Sequence, residues 1–456
     1  MFRLFLHTLI FFGISNCMYN PIVRQFLWPS EKSKNLSFLA AFGFSASTSA
    51  TPLPSKEISL NLDSIVLQKN ETSQILAKLK VDGVETPSNF SYTSSDTSVA
   101  SVSTTGLVTA NSIGPVDITV KELDGETLTH CYVNVYAGYV YASLDTSDAV
   151  VKFTMNTSSG TLTNNGTVST VNFTPTGIAV DPYGKFLYTG NFNSDSISRF
   201  NISLVDGSLT YVGVTSAPTN PRNISITPDG KFLYLAAETS NTIRGYSINS
   251  SNGNLTFLAA TSVSTGIIQS AIDPTGKYLV TISPTASQLS SFSIDQTYGT
   301  LTLTSTSGSF DSQGLLAFHP SGKFVYVGSN PNLTILSFNV STGALAIVGT
   351  VFQTAVSNGI AVHPSGKFLY SANISDASVT VYSIHSTNGT LSLQSTFATG
   401  GTDIRYIAID PKGKFAFVAQ NGVTNIMQFL IDQTDGSLTG NGNVNASGNQ
   451  WNLIVK

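Results

Sequence analysis

Charge is scarce in this chain. Asp, Glu, Lys and Arg make up 11% of its 456 residues, against roughly 25% in an average globular protein. Net charge is −4 and no basic cluster occurs, which excludes binding driven by counterion release from a nucleic acid. Cysteine is scarcer still: Cys17 and Cys131 are the only two, too few for a disulfide framework once one of them is taken by another role. The five histidines, His7, His130, His319, His363 and His385, show no ligand spacing, so neither a catalytic zinc nor another metal site is expected. Gly-x-Ser-x-Gly, phosphate-loop and calcium-loop motifs are missing, and no cofactor is implied. The apolar stretch at the N-terminus, Leu4 to Ile14, runs eleven residues, too short to span a bilayer.

Apolar content is nonetheless normal at 41%, so the chain folds. Ser, Thr, Asn and Gly fill the place of charge, with many Tyr and Phe. That mixture suits short strands with polar outer faces and tight turns. Arg3 followed by the apolar stretch reads as an export signal. It ends in Ile14-Ser15-Asn16-Cys17, which resembles a bacterial lipoprotein signal in the looser, spirochaete-like form. The resemblance implies lipidation of Cys17; ordinary signal-peptidase cleavage is the alternative. The small polar run Ser45 to Pro52 then reads as a tether behind the anchor. Cys131 sits in an alternating segment, Thr129 to Val135, and reads as a buried structural thiol rather than a nucleophile.

Residues 56–137 alternate in short strands, among them Ile58 to Leu62, Ile75 to Leu79 and Val116 to Val120, as in a small β-sandwich. The run Tyr92 to Val102 followed by Gly106-Leu107-Val108-Thr109-Ala110 resembles a bacterial immunoglobulin-like domain of the second group, with Tyr92 where that family usually has Trp. The resemblance implies a spacer or adhesive unit.

Beyond residue 138 the chain repeats. Pro-x-Gly-Lys-aromatic begins at Pro182, Pro228, Pro274, Pro320, Pro364 and Pro411, at intervals of 46, 46, 46, 44 and 47 residues. Gly-x-Leu recurs at Gly160, Gly207, Gly253, Gly299, Gly343, Gly389 and Gly436. A period in the mid-forties with four short strands per unit is that of propeller blades. Pro presets φ in the first turn and Gly takes a positive φ; Asp181, Asp273 and Asp410 read as turn formers. The first unit, from Tyr139, lacks an innermost strand, and Trp451 to Val455 is a strand without a blade. Joining them closes seven blades and leaves no open edge. The expectation is therefore an all-β chain: signal 1–16, lipid-anchored tether 17–55, immunoglobulin-like sandwich 56–137 and seven-bladed propeller 138–456.

Within a blade, the tight turns between strands a and b and between c and d share one face. The variable b–c and d–a loops share the other, where binding is expected. Arg222, Asn223, Glu238 and Arg405 are its distinctive members. Arg222 and Arg405 each precede an innermost strand and should face one another across the channel mouth. With Glu238 they either hold a small anionic or polyhydroxylated ligand, or pair among themselves and rigidify the mouth.

The repeats, most clearly Arg405-Tyr406-Ile407-Ala408-Ile409-Asp410-Pro411 through Phe417-Val418-Ala419-Gln420-Asn421, resemble the lactonase family of seven-bladed propellers, which includes 6-phosphogluconolactonases. In that register the family's His-Ser-Ala falls on Gln269-Ser270-Ala271. Its Arg-His pair falls on Gly314-Leu315, and its Asn-Glu on Ser329-Asn330. The resemblance thus implies a lactonase fold stripped of the groups that activate water and stabilise an oxyanion. His319 matches only a turn histidine. The expectation is an exported, membrane-anchored lipoprotein of the cell surface or periplasm, touching the membrane through its lipid alone. It would bind a small molecule or protein partner through the loop face, with no catalytic residues. A sugar-lactone hydrolase with a relocated Arg222–Glu238 pair is the alternative.

Overall fold

The computed structural model describes residues 54–62, 64–171, 174–264, 266–308, 314–328, 332–353, 357–400, 403–420 and 422–456. The expected signal, Cys17 and all of the tether except Pro54 and Ser55 lie outside the described residues, as does Asn330.

The N-terminal sandwich grows from strict alternation. In Gly114–Glu122 every second residue is buried, and Val116, Ile118 and Val120 meet Ile65, Leu67, Ile75, Val133 and Val135 in one apolar cluster. Gly114–Glu122 pairs antiparallel with Leu128–Tyr136, which in turn pairs parallel with Ser64–Gln68. Cys131 is fully buried in this core and forms no disulfide.

After Tyr136 only Ala137 and Gly138 separate the sandwich from the first propeller strand, Tyr139–Leu144. Seven four-stranded sheets follow, labelled blades 1 to 7 with strands a to d from the channel outward. Blade 2 is typical: a is Pro175–Val180, b Phe186–Asn191, c Ser196–Ile202 and d Leu209–Ser216. Blade 1 takes its a strand from the C-terminus. Gln450–Val455 pairs antiparallel with Tyr139–Leu144, and Tyr139 and Lys456 exchange two backbone hydrogen bonds of 2.7 Å. The ring closes as the repeat pattern predicts.

The recurring sequence strings join one blade to the next. Gly253, in the c–d turn of blade 3, has φ +71°, and a Cβ there would lie 2.6 Å from the ring of Phe186 in blade 2; both facts demand glycine. Its carbonyl accepts a hydrogen bond from the buried Tyr188 hydroxyl of blade 2 at 2.7 Å. The same tyrosine-to-glycine bond links Tyr141 to Gly207, Tyr234 to Gly299, Tyr326 to Gly389 and Tyr370 to Gly436, at 2.7–3.0 Å. Val280 and Phe417 occupy the tyrosine position in blades 4 and 7, so the junction between blades 7 and 1 lacks the bond. In the a–b turns, Asp181 accepts backbone N–H groups of Lys185 and Phe186 at 2.6 Å, and Asp273 and Asp410 act alike. His319 and His363 hold the same place, each hydrogen-bonding through Nε2 to a turn carbonyl of the next blade, Gly366 and Gly413. Burial holds both imidazoles below the usual histidine value.

All seven d strands lack a charged residue, although exposed sheet edges are commonly guarded by Lys. Here a register shift interrupts every c–d pair. A bulge of this kind twists an edge away from further pairing.

The tight-turn face carries the sandwich domain. The variable residue of Pro-x-Gly-Lys is Tyr183 in blade 2 and Lys412 in blade 7. Tyr183 lies against Gly114. Lys412 Nζ binds Glu71 at 2.6 Å and sits 5.9 Å from the Tyr136 ring centre. The face that the sequence marks as scaffold thus also docks the second domain, and the loop face is left free of it.

Candidate functional site

The loop-face mouth is built by a backbone irregularity repeated around the ring. In blade 3, Pro221 pairs with Ala237 and Asn223 with Ala236, so Arg222 is an extra residue on its strand. Arg405 stands out likewise between Ile404 and Tyr406 of blade 7, and Asn358 between Ser357 and Gly359 of blade 6. Trp451 does so in blade 1, where Leu144 pairs with Gln450 and Ser143 with Asn452. A bulged residue is released from the ladder and its side chain re-aimed. These four side chains line a cavity of about 70 Å³ together with Asn223, Ile268, Leu315, Tyr406 and Asn452. One water requires about 10–15 Å³, so several waters or the polar head of a small ligand fit.

Arg222 and Arg405 do converge, but not as unscreened charges across a channel. Both guanidiniums lie over the indole of Trp451, with Cζ 4.8 and 4.6 Å from the ring centre, and Arg222 is also 5.4 Å from the Phe192 ring. Their partners differ. Arg405 grips Asp403 through Nε at 3.1 Å and Nη2 at 2.9 Å. Arg222 approaches Glu238 only to 3.6 Å, and its guanidinium donates no hydrogen bond to the described residues. Burial, reinforced by Arg405 and opposed by Glu238, lowers the Arg222 pKa. Each arginine thus has a carboxylate of its own, Asp403 beside Arg405 and Glu238 beside Arg222.

Asn223 is partly committed, since its Oδ1 accepts the Ser270 N–H at 3.1 Å. Asn452 is 8% exposed and its side chain has no hydrogen-bond partner among the described residues. The Asn358 side chain likewise has none. The mouth thus offers unspent donors: the Arg222 guanidinium and the amides of Asn358 and Asn452. Near Arg405, Asp145 keeps Oδ1 buried without a partner, and burial raises its pKa against the pull of the arginine.

Sequence reasoning overlooked Asp403 and Trp451. Asp403 stands at φ +49° just ahead of the strand and Arg405 is bulged out of its ladder, so only their closeness in the chain signalled the pair. Trp451 occupies the repeat position of Arg222, which counting repeats could have revealed. At the positions that the resemblance sets against the family's reactive groups stand Gln269, Gly314 and Leu315. Gln269 is buried and its Oε1 accepts the Leu316 N–H. At Gly314 a Cβ would meet the Ser357 carbonyl at 2.5 Å, so no side chain fits without movement of backbone. Among the described residues no group of three or more His, Cys, Asp or Glu could hold a metal ion.

Comparison with protein families matches the model of a lactonase with a 7-bladed β-propeller to residues 130–268 and 314–451, more than half of the chain. The model of the bacterial Ig-like domain (group 2) matches residues 54–133. Comparison with curated proteins finds no match. Among solved structures, a candidate 6-phosphogluconolactonase from Bacteroides fragilis is 23% identical over 70% of this chain and 97% of its own, with a TM-score of 0.63. One from Bacteroides uniformis is 19% identical over 70% and 99%, TM-score 0.64. The periplasmic gluconolactonase of Pseudomonas aeruginosa is 16% identical over 70% and 98%, TM-score 0.62. At these identities the likeness concerns the fold.

Proposed function

The chain belongs to the seven-bladed β-propeller lactonase family, and from that premise we propose that it is an exported, lipid-anchored propeller that binds rather than hydrolyses. The ligand or partner presents an oxyanion or a row of hydroxyl acceptors to the loop-face mouth. The observation that carries this reading is Arg222, a guanidinium three-quarters buried beside an aromatic platform, 3.6 Å from Glu238 and donating no hydrogen bond among the described residues. A buried donor without an acceptor is costly, and a ligand acceptor would remove that cost. Docking of the sandwich domain on the opposite face supports the same reading, since it leaves the mouth unobstructed.

Loss of lactonase chemistry is supported by Gln269, Leu315 and the crowded Gly314, none of which activates water or stabilises an oxyanion. The second reading, a lactone hydrolase working through Arg222 and Glu238, draws on their 3.6 Å contact. Assays of the purified chain on simple and phosphorylated sugar lactones separate the two: a rate within tenfold of a genuine lactonase overturns the binding reading. Anchoring rests on Ile14 to Cys17. Cys17→Ser should move the protein from the detergent to the aqueous phase on partitioning; unchanged partitioning removes the anchor from the proposal.

A further inference from the structure

We propose that occupancy of the mouth and closure of the ring are one coupled equilibrium, with Trp451 as the positioning residue between them. This regulation rests on the binding reading above. The closing strand Gln450–Val455 supplies the cavity with its aromatic platform, Trp451, and with Asn452, a residue 8% exposed whose amide has no hydrogen-bond partner among the described residues. An open ring therefore lacks the platform. The strand is held laterally by Tyr139–Leu144 of its own blade. The neighbouring junction between blades 7 and 1 is one of the two without a tyrosine-to-glycine bond, because Phe417 replaces the donor. That junction is held instead by hydrogen bonds of Leu162 N–H to Gln428, Asn164 to the Asn445 carbonyl and Asn441 to the Ser159 carbonyl, and by Leu453 in one apolar cluster with Phe417 and Ala419; the grip on Trp451 acts on the closing strand in addition to these.

That grip comes from blades 3 and 7. Arg222 and Arg405 both stack on the Trp451 indole, and neither is hydrogen-bonded to the closing strand. Blade 3 lies two blades away from blade 1 round the ring. A ligand that binds Arg222 in the closed state holds the guanidinium over the indole and shifts the equilibrium toward closure by mass action. By reciprocity, anything that loosens the strand weakens the ligand.

Amide hydrogen exchange on the full chain, read by mass spectrometry, tests the coupling without knowledge of the natural ligand. A cation–π contact corresponds to about a two- to fivefold change in an opening equilibrium at a partly exposed site. Arg222→Ala should therefore speed exchange of Gln450–Val455 by about that factor and leave strand Leu301–Gly308 of blade 4 unchanged, and Arg222→Lys should recover part of the protection. Faster exchange confined to strand Pro221–Ile226, with the closing strand unaffected, overturns the coupling. Trp451 fluorescence in a Trp28→Phe background, titrated with inorganic phosphate, addresses the binding reading separately. Quenching that disappears in Arg222→Ala supports an oxyanion site. Quenching without added protection of Gln450–Val455 sinks the coupling and leaves the site. No quenching, with exchange still governed by Arg222, sinks the oxyanion reading and leaves the coupling.

Discussion

Arg222→Ala and Arg405→Ala should have unequal effects on stability, although the two side chains stack on the same indole. Both are about a quarter exposed. Removing Arg405 takes from Asp403, a carboxylate only 27% exposed, hydrogen bonds of 2.9–3.2 Å. Losing the partner of a partly buried charged group costs about 1–3 kcal/mol, and partial solvent access puts this case in the lower half of the range. Loss of the stack adds about 0.5–1 kcal/mol. Removing Arg222 strands nothing comparable, because Glu238 at 3.6 Å is one-third exposed and returns to water. The lost stacks on Trp451 and Phe192 are offset by relief of the desolvated charge and of its repulsion from Arg405. The expected losses are about 1.5–3 kcal/mol for Arg405→Ala and under about 1 kcal/mol for Arg222→Ala. Urea denaturation followed by Trp451 emission in the Trp28→Phe background measures both. If Arg222→Ala destabilises as much as Arg405→Ala, the guanidinium is a structural strut, and its reading as a ligand arm fails.

Three further outcomes are expected. Deleting Trp451 to Lys456 removes the inner strand of blade 1 and exposes Tyr139–Leu144 as a free edge, so the propeller should lose its cooperative melt; melting within a degree or two of the full chain would contradict ring closure. Tyr188→Phe leaves the buried Gly253 carbonyl without its donor and should cost about 1–2 kcal/mol, whereas Phe417→Tyr, which offers blade 7 the donor it lacks, should be neutral or stabilising by chemical denaturation. At the domain junction, burial lifts the Glu71 carboxyl, but hydrogen bonds from Lys412 and the Gln68 N–H, with the lysine charge, outweigh it and hold its pKa below the usual value. A depressed carboxyl pKa contributes stability above the unfolded value that is lost as pH falls through the folded one, so Lys412→Met should flatten the acid side of the stability profile below about pH 4.5, and an unchanged profile would mean that the pair does not join the domains.

Periodicity is a local property, and whatever depended on it was legible along the chain. Six Pro-x-Gly-Lys turns and seven Gly-x-Leu turns count the blades, and a missing inner strand in the first unit with a spare strand after the last announces how they close. Alternation at Val116, Ile118 and Val120 marks the sandwich. The register of the repeats let Gln269, Gly314 and Leu315 be set against the resembling family's reactive positions. Arg222 and Arg405 were legible as mouth residues because each stands ahead of an inner strand. The tertiary structure decided what those residues do there. A bulge depends on the ladder register between two strands, not on either strand's composition, and it turns Arg222, Arg405, Asn358 and Trp451 inward. Closure then brings residue 451 beneath residues 222 and 405, separations that no periodic pattern encodes. The Tyr183 and Lys412 positions read as interchangeable turn residues until the sandwich domain docks on them. Contacts between distant segments select a partner by geometry after the ring exists; for that reason the blades were readable in the sequence, and the stacking of Arg222 and Arg405 on Trp451 was decided by the fold.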